Sequence, residues 1–140
     1  MNFEIWGMGA SLTCEDPNDE ARAAEIFEDV TSRIDLAANR FRPDSELSHV
    51  NAEAGVTHHV SETFARMLDA ALLGARITEG LCTPTILGAL LAQGYDRDFD
   101  ELAHDVVSPA PAHAAPGLEN VSYDPAARTL RIAPGCPLDF

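Results

Sequence analysis

Ala23, Ile26, Phe27, Val30, Ile34, Ala37, Ala38 and Phe41 recur at steps of three and four residues. Together they make one apolar stripe along about five turns of helix. Asp16-Pro17 opens this helix, with Asp16 as the cap and Pro17 at the first helical position, where its missing N–H costs nothing. Pro43 ends it, because proline disfavours helical geometry at Arg42 and donates no backbone hydrogen bond. The break falls inside Arg40-Phe41-Arg42-Pro43-Asp44-Ser45-Glu46-Leu47-Ser48-His49-Val50-Asn51. Asp44 or Ser45 can cap a short new helix there by accepting from its free amides. A ring, two guanidinium groups, hydroxyls and carboxylates gathered at one break read either as a polar connector or as a binding edge.

The 140 residues suit one domain with a real core, and the hydrophobic fraction of 46% is that of a globular chain. The formal net charge is −14, and all nine cations are arginine. Such a surface repels nucleic-acid phosphates, so no nucleic-acid partner is expected. Without lysine there is neither a Walker-type phosphate loop nor a Schiff-base lysine. An anionic ligand would need backbone amides, local arginines or a divalent metal. Cys14, Cys82 and Cys136 are far apart and odd in number, which indicates neither a zinc knuckle nor a disulfide framework. A reducing compartment, the cytoplasm, is expected. The N-terminus carries no export signal or lipid-attachment cysteine, and no apolar stretch approaches membrane-spanning length.

Strand formers around Gly7-Met8-Gly9 predict strands at 3–7 and 10–14, bent or bulged at the glycines. A short helical turn is expected at 45–51, ended by Gly55, and an extended segment at 56–60. There His58 and His59 face opposite sides and cannot share a metal, so one is packed and the other solvated. Ser61 caps a second long helix buried through Phe64, Met67, Leu68, Ala71, Leu72 and Ala75, which Gly80 ends. Pro84 starts a helix over 85–93, a turn follows at 94–99, and 99–104 is a further helical segment. The Pro- and Ala-rich stretch 107–117 reads as a surface loop. Strands at 118–123 and 129–132 flank the turn Asp124-Pro125-Ala126-Ala127. Pro137-Leu138-Asp139-Phe140 reads as the start of a buried strand, so the chain is expected to be the front part of a longer protein.

Several of these segments, in this order, resemble the N-terminal half of the FAD:protein FMN transferases, the ApbE family. They are Met8-Gly9, then Phe41-Arg42-Pro43-Asp44-Ser45-Glu46-Leu47-Ser48 with Asn51, and Gly80-Leu81-Cys82-Thr83-Pro84-Thr85. Gly94-Tyr95-Asp96-Arg97-Asp98-Phe99 and Leu138-Asp139-Phe140 complete the set. Each motif is weak alone; five in order are specific. The arginine- and alanine-rich composition is similar to that of actinobacterial members. The resemblance implies an α+β fold with helices packed on antiparallel sheet, here its N-terminal part spanning 1–140. It also implies Mg2+-dependent transfer of FMN from FAD to a threonine or serine hydroxyl of a target flavoprotein.

By the same resemblance, Met8 lies against the flavin nucleotide and Phe41 packs on it, at a position where relatives often carry tyrosine. Leu81, Cys82 and Thr83 correspond to a short FAD-contacting segment, with Thr83 where relatives commonly have aspartate. Asp139 matches an FAD-contacting aspartate. The glycine-rich continuation, its lysine and the residues that complete the magnesium site are not among these 140, so the isolated chain is expected to be inactive. From the residues alone, Met8 and Phe41 also suit plain core packing, and Cys82 suits a small hydrophobe. Asp139 in an apolar context is the hardest to explain as structure. Two other readings stay open: a flavin-nucleotide-binding module without catalysis, and an interaction domain or inactive fragment.

Overall fold

The computed structural model describes residues 1–97, 101 and 113–140. Strands β1 (Asn2–Ile5) and β2 (Met8–Ser11) form an antiparallel hairpin in which Ile5 pairs with Met8. The glycines expected to bend a strand serve differently. Trp6 and Gly7 make the turn, with φ of 51° and 69°, while Met8 and Gly9 lie inside β2. A two-residue turn with both φ positive matches the right-handed twist of the strands it joins. For a tryptophan this backbone costs about 1 kcal/mol.

Asp16 caps a 3₁₀ turn at Pro17–Asp19 by accepting from the Asn18 N–H at 2.8 Å, and α1 (Glu20–Ala38) follows directly. Its stripe is covered unevenly. Phe27 stacks on Phe3 with ring centroids 4.5 Å apart, and Ala37 is buried. Ile26 and Val30 are exposed, because α2 and α3 pack along α1 and leave that part of the stripe uncovered.

Ser45 caps α2 (Glu46–Ala52), and Ser61 caps α3 (Glu62–Ile77), each accepting from the amide three residues on. The expected packing of α3 holds for Phe64, Leu68 and Ala75, which are buried, while Met67, Ala71 and Leu72 are half-buried. Gly80, at φ 87°, ends the helix by returning its N–H to the Ala75 carbonyl. Pro84–Ile86 forms a 3₁₀ turn under a Thr83 cap, leading into α4 (Leu87–Ala92).

Strands β3 (His58–His59), β4 (Val121–Asp124) and β5 (Thr129–Ile132) make an antiparallel sheet in the order β3-β5-β4. His58 is half-buried and His59 exposed, as alternation requires. Residues 118–120 form a 3₁₀ turn instead of the first part of β4. Asp124 fixes the β4–β5 turn by accepting from the amides of Ala126 and Ala127. The core gathers Leu130 and Ile132 from β5, Phe64 and Leu68 from α3, Leu47 and Val50 from α2, and Leu138 from the C-terminal tail. Residues 137–140 are extended and buried at Leu138, but they join no strand ladder. The helical segment expected at 99–104 and the loop at 107–117 fall mostly outside the described residues.

Candidate functional site

The break after α1 is internally satisfied. Arg42 pairs with Asp35 at 2.7 Å and with Asp44 at 2.8 Å. Ser48 donates to the Arg42 carbonyl at 2.6 Å, and Asn39 accepts from the Phe41 N–H at 2.8 Å. Most polar side chains of the break therefore hold the connector together. Arg42, Asp44, Ser45 and Ser48 stand clear of the cleft that opens beside it.

That cleft, of about 330 Å³, lies between the end of α1, the β1–β2 turn, α3, the segment after α4 and the C-terminal tail. Arg40 forms its centre. Its guanidinium lies over two rings, 4.2 Å from the Phe41 centroid and 4.3 Å from that of Tyr95. Its Nη1 donates to the Tyr95 carbonyl at 3.0 Å, and its Nε is 3.4 Å from an Asp139 oxygen. The side chains of Arg40 and Asp139 keep only 8% and 18% of their exposure. Burial pushes the Asp139 carboxyl above its ordinary value, and the nearby guanidinium offsets this only in part. Among the described residues, the Nη2 of Arg40 is buried without a hydrogen-bond partner. A buried donor left unmade costs about 1–3 kcal/mol, so a ligand acceptor reaching it would be favoured.

Asp35 lies in the last turn of α1, one turn before Arg40. It accepts from Trp6 Nε1 at 3.2 Å, Asn39 Nδ2 at 2.7 Å and Arg42 Nη1 at 2.7 Å. Burial raises its pKa, but these hydrogen bonds outweigh burial and hold the carboxyl below the usual carboxylate value. Ile34, Met67 and Phe140 supply apolar lining, and Phe140 packs edge-on against Phe64 at 5.2 Å. Asp35 pairs with Arg42 and Asp139 with Arg40, so each carboxylate of the walls faces a guanidinium.

Of the residues singled out from the sequence, Phe41 and Asp139 line this cleft. Met8, Leu81, Cys82 and Thr83 do not. Met8 is 61% exposed on the hairpin, two residues from Trp6. Leu81 is 95% exposed, and Cys82 is exposed beside it. Thr83 turns inward, where its hydroxyl lies 2.8 Å from that of Thr85. This loop nevertheless adjoins the cleft, since Asp139 donates its N–H to the Pro84 carbonyl at 2.8 Å. Sequence reasoning missed Trp6, Asp35, Arg40 and Tyr95. An exposed-type aromatic followed by glycine was the local signal for Trp6; the others depend on contacts between distant segments. Among the described residues no group of three His, Cys, Asp or Glu side chains converges to hold a metal ion, and no helix is long and apolar enough to cross a membrane.

The fold is α+β, with helices packed against antiparallel strands and a cleft where the end of α1, the β1–β2 turn and the C-terminal tail meet. The ApbE family model matches residues 6–140, and the chain belongs to the ApbE family. The fold is that of solved ApbE structures. It is similar to the ApbE protein of Thermotoga maritima, with a TM-score of 0.73 and 18% identity over 99% of this chain and 46% of that one. It is also similar to the apo flavinyl transferase ApbE of Pseudomonas stutzeri, with a TM-score of 0.76 and 20% identity over 100% of this chain and 48% of that one. The flavin transferase ApbE of Vibrio cholerae aligns with a TM-score of 0.70 and 20% identity, covering 89% and 41% of the two chains. The chain thus spans about half the length of the structures it matches. No curated protein matches by sequence.

Proposed function

We propose that this chain is the N-terminal, nucleotide-holding portion of an FAD:protein FMN transferase. The observation that carries the reading is the cleft itself. Phe41 and Asp139, assigned to FAD from their motifs, meet there around a buried arginine with a free donor. Membership of the ApbE family and similarity to flavin transferases support the reaction class.

In the proposed reaction the hydroxyl oxygen of a threonine or serine in a target flavoprotein bonds to the FMN phosphorus of FAD. The pyrophosphate P–O bond breaks, AMP leaves with the electron pair, and the hydroxyl proton passes to a base. Phosphoryl transfer of this kind depends on in-line positioning and charge neutralisation, the second supplied by magnesium. The described residues do not by themselves make a magnesium site, and no step is assigned to them through it. Their part is to bind and orient the nucleotide. Walls with two carboxylates and an arginine already paired to one of them suit an aromatic ring system with hydrogen-bonding edges better than a pyrophosphate. Arg40 would donate to a ring or carbonyl acceptor, and Phe41 would pack on the ring face. Met8 and Leu81-Cys82-Thr83, which flank the cleft, extend this surface in the proposal.

The test is to incubate the intact protein that carries this chain with FAD, magnesium and a flavoprotein acceptor, then look for a covalent FMN adduct by mass spectrometry. Labelling of a threonine or serine is expected. FAD binding without labelling of any acceptor would replace the transferase with a non-catalytic FAD-binding module.

A further inference from the structure

Trp6 stands apart from the other aromatic side chains of the cleft. It is the only tryptophan in the chain, and it remains 49% exposed although it lines the cavity. Its backbone occupies the left-handed region at φ 51°, a turn position that asparagine, aspartate or glycine fills more easily. Its indole N–H is already tied to Asp35 at 3.2 Å, which fixes the ring at the rim without using it as core. A large aromatic surface held in an unfavourable backbone, half in solvent and facing a cleft whose carboxylates are paired with arginines, is placed for stacking.

We propose that Trp6 is a ligand-contacting residue: its indole face stacks on a planar fused ring of the bound nucleotide, and Asp35 is the residue that positions it. The proposal rests on the FAD reading above and adds a binding residue and its support to it. Asp35 reaches Trp6 through one carboxylate oxygen and Arg42 through the other, so one side chain locks the hairpin tip and the connector around the same opening. The chemistry Trp6 recognises is a π-face, which both the isoalloxazine and the adenine of FAD present.

Isothermal titration of the full chain with FAD, FMN and ADP, in wild type and variants, tests this. Trp6→Asn removes the ring while suiting the turn, so it should melt within a few degrees of wild type yet bind FAD about tenfold or more weakly. Trp6→Phe keeps a stacking face and should stay within about threefold of wild type. The half-ligand, FMN or ADP, whose affinity falls with Trp6→Asn identifies the stacked ring. Asp35→Ala should weaken FAD several-fold in wild type but add no further loss in Trp6→Asn, the coupling expected of a positioning residue. Wild-type affinity in Trp6→Asn, or an equal loss in Trp6→Phe, would overturn the stacking role while leaving the FAD reading standing. Wild-type protein that binds none of the three ligands would overturn the FAD reading, and the stacking role with it.

Discussion

Asn51 and Leu138 exchange two hydrogen bonds: the Asn51 side chain donates to the Leu138 carbonyl at 2.9 Å and accepts the Leu138 N–H at 2.8 Å. A side-chain amide thus does for the tail what a neighbouring strand would do in a sheet. It explains how Leu138 is buried although residues 137–140 join no ladder. Because Asp139 is the next residue, the same pair of bonds sets the height of its carboxylate beside Arg40.

Asn51→Ala leaves both backbone groups of a fully buried residue unmade. The expected loss is about 2–4 kcal/mol of stability, read by urea denaturation, together with weaker FAD binding as Asp139 loosens. Asn51→Asp keeps the acceptor but not the donor and should be no milder. A chain that keeps wild-type stability as Asn51→Ala would show that the tail is held by Leu138 packing alone.

Asp35 should make stability sensitive to acid. Its folded pKa lies below the ordinary 3.8, so its contribution is present above about pH 4 and is lost as pH falls through the lowered value. Asp35→Asn should cost about 1–2 kcal/mol near pH 7, and the gap from wild type should narrow as the pH falls below the ordinary carboxylate value. Melting curves across that range check the sign; a gap that widens in acid would contradict it.

Thr85 is fully buried, donating to the Pro116 carbonyl and lying beside the Thr83 hydroxyl. Thr85→Val preserves shape but orphans that carbonyl, and about 1–3 kcal/mol of destabilisation is expected, with Thr85→Ser tolerated better. Differential scanning calorimetry of the two variants would separate the hydroxyl from the methyl.

The cysteines report on the cleft rim. Cys136 is buried, and burial followed by the nearby Glu119 charge pushes its thiol pKa up, whereas Cys82 lies exposed. Iodoacetamide should modify Cys82 well before Cys136, as peptide mass spectrometry would show. If the nucleotide covers the Leu81–Thr83 loop as proposed, saturating FAD should slow that modification several-fold. Unchanged kinetics would remove the loop from the nucleotide surface.

What was readable in the sequence was largely local. Asp16 and Ser61 were recognised as caps, Ser45 was one of two named candidates, and Gly80 marked its helix end, whereas α1 stops at Ala38, short of the end expected at Pro43. Each acts on amides or torsions within a few residues. The alternation of His58 and His59 followed from strand geometry for the same reason. The hairpin was misjudged because Gly7-Met8-Gly9 looks like a bulge, and a tryptophan is an unfavourable residue for the left-handed turn position it occupies. The α1 stripe holds as far as Ala38, while Phe41, expected as its last member, lies in the turn beyond the helix, and periodicity does not say how far a neighbour covers the face. Ile26 and Val30 stay exposed as a result.

By itself the sequence determined the three longer helices and most of their caps, the β4–β5 turn and, through five ordered motifs, membership of the ApbE family. Only the tertiary structure decided which side chains meet. Trp6 and Asp35 are 29 residues apart, Arg40 and Tyr95 are 55 apart, and Asn51 and Leu138 are 87 apart. Those contacts form because burying one shared core brings separate elements to a common edge, a long-range outcome that no window of sequence encodes. The cleft exists at that edge, with Arg40 held between two rings and a carboxylate.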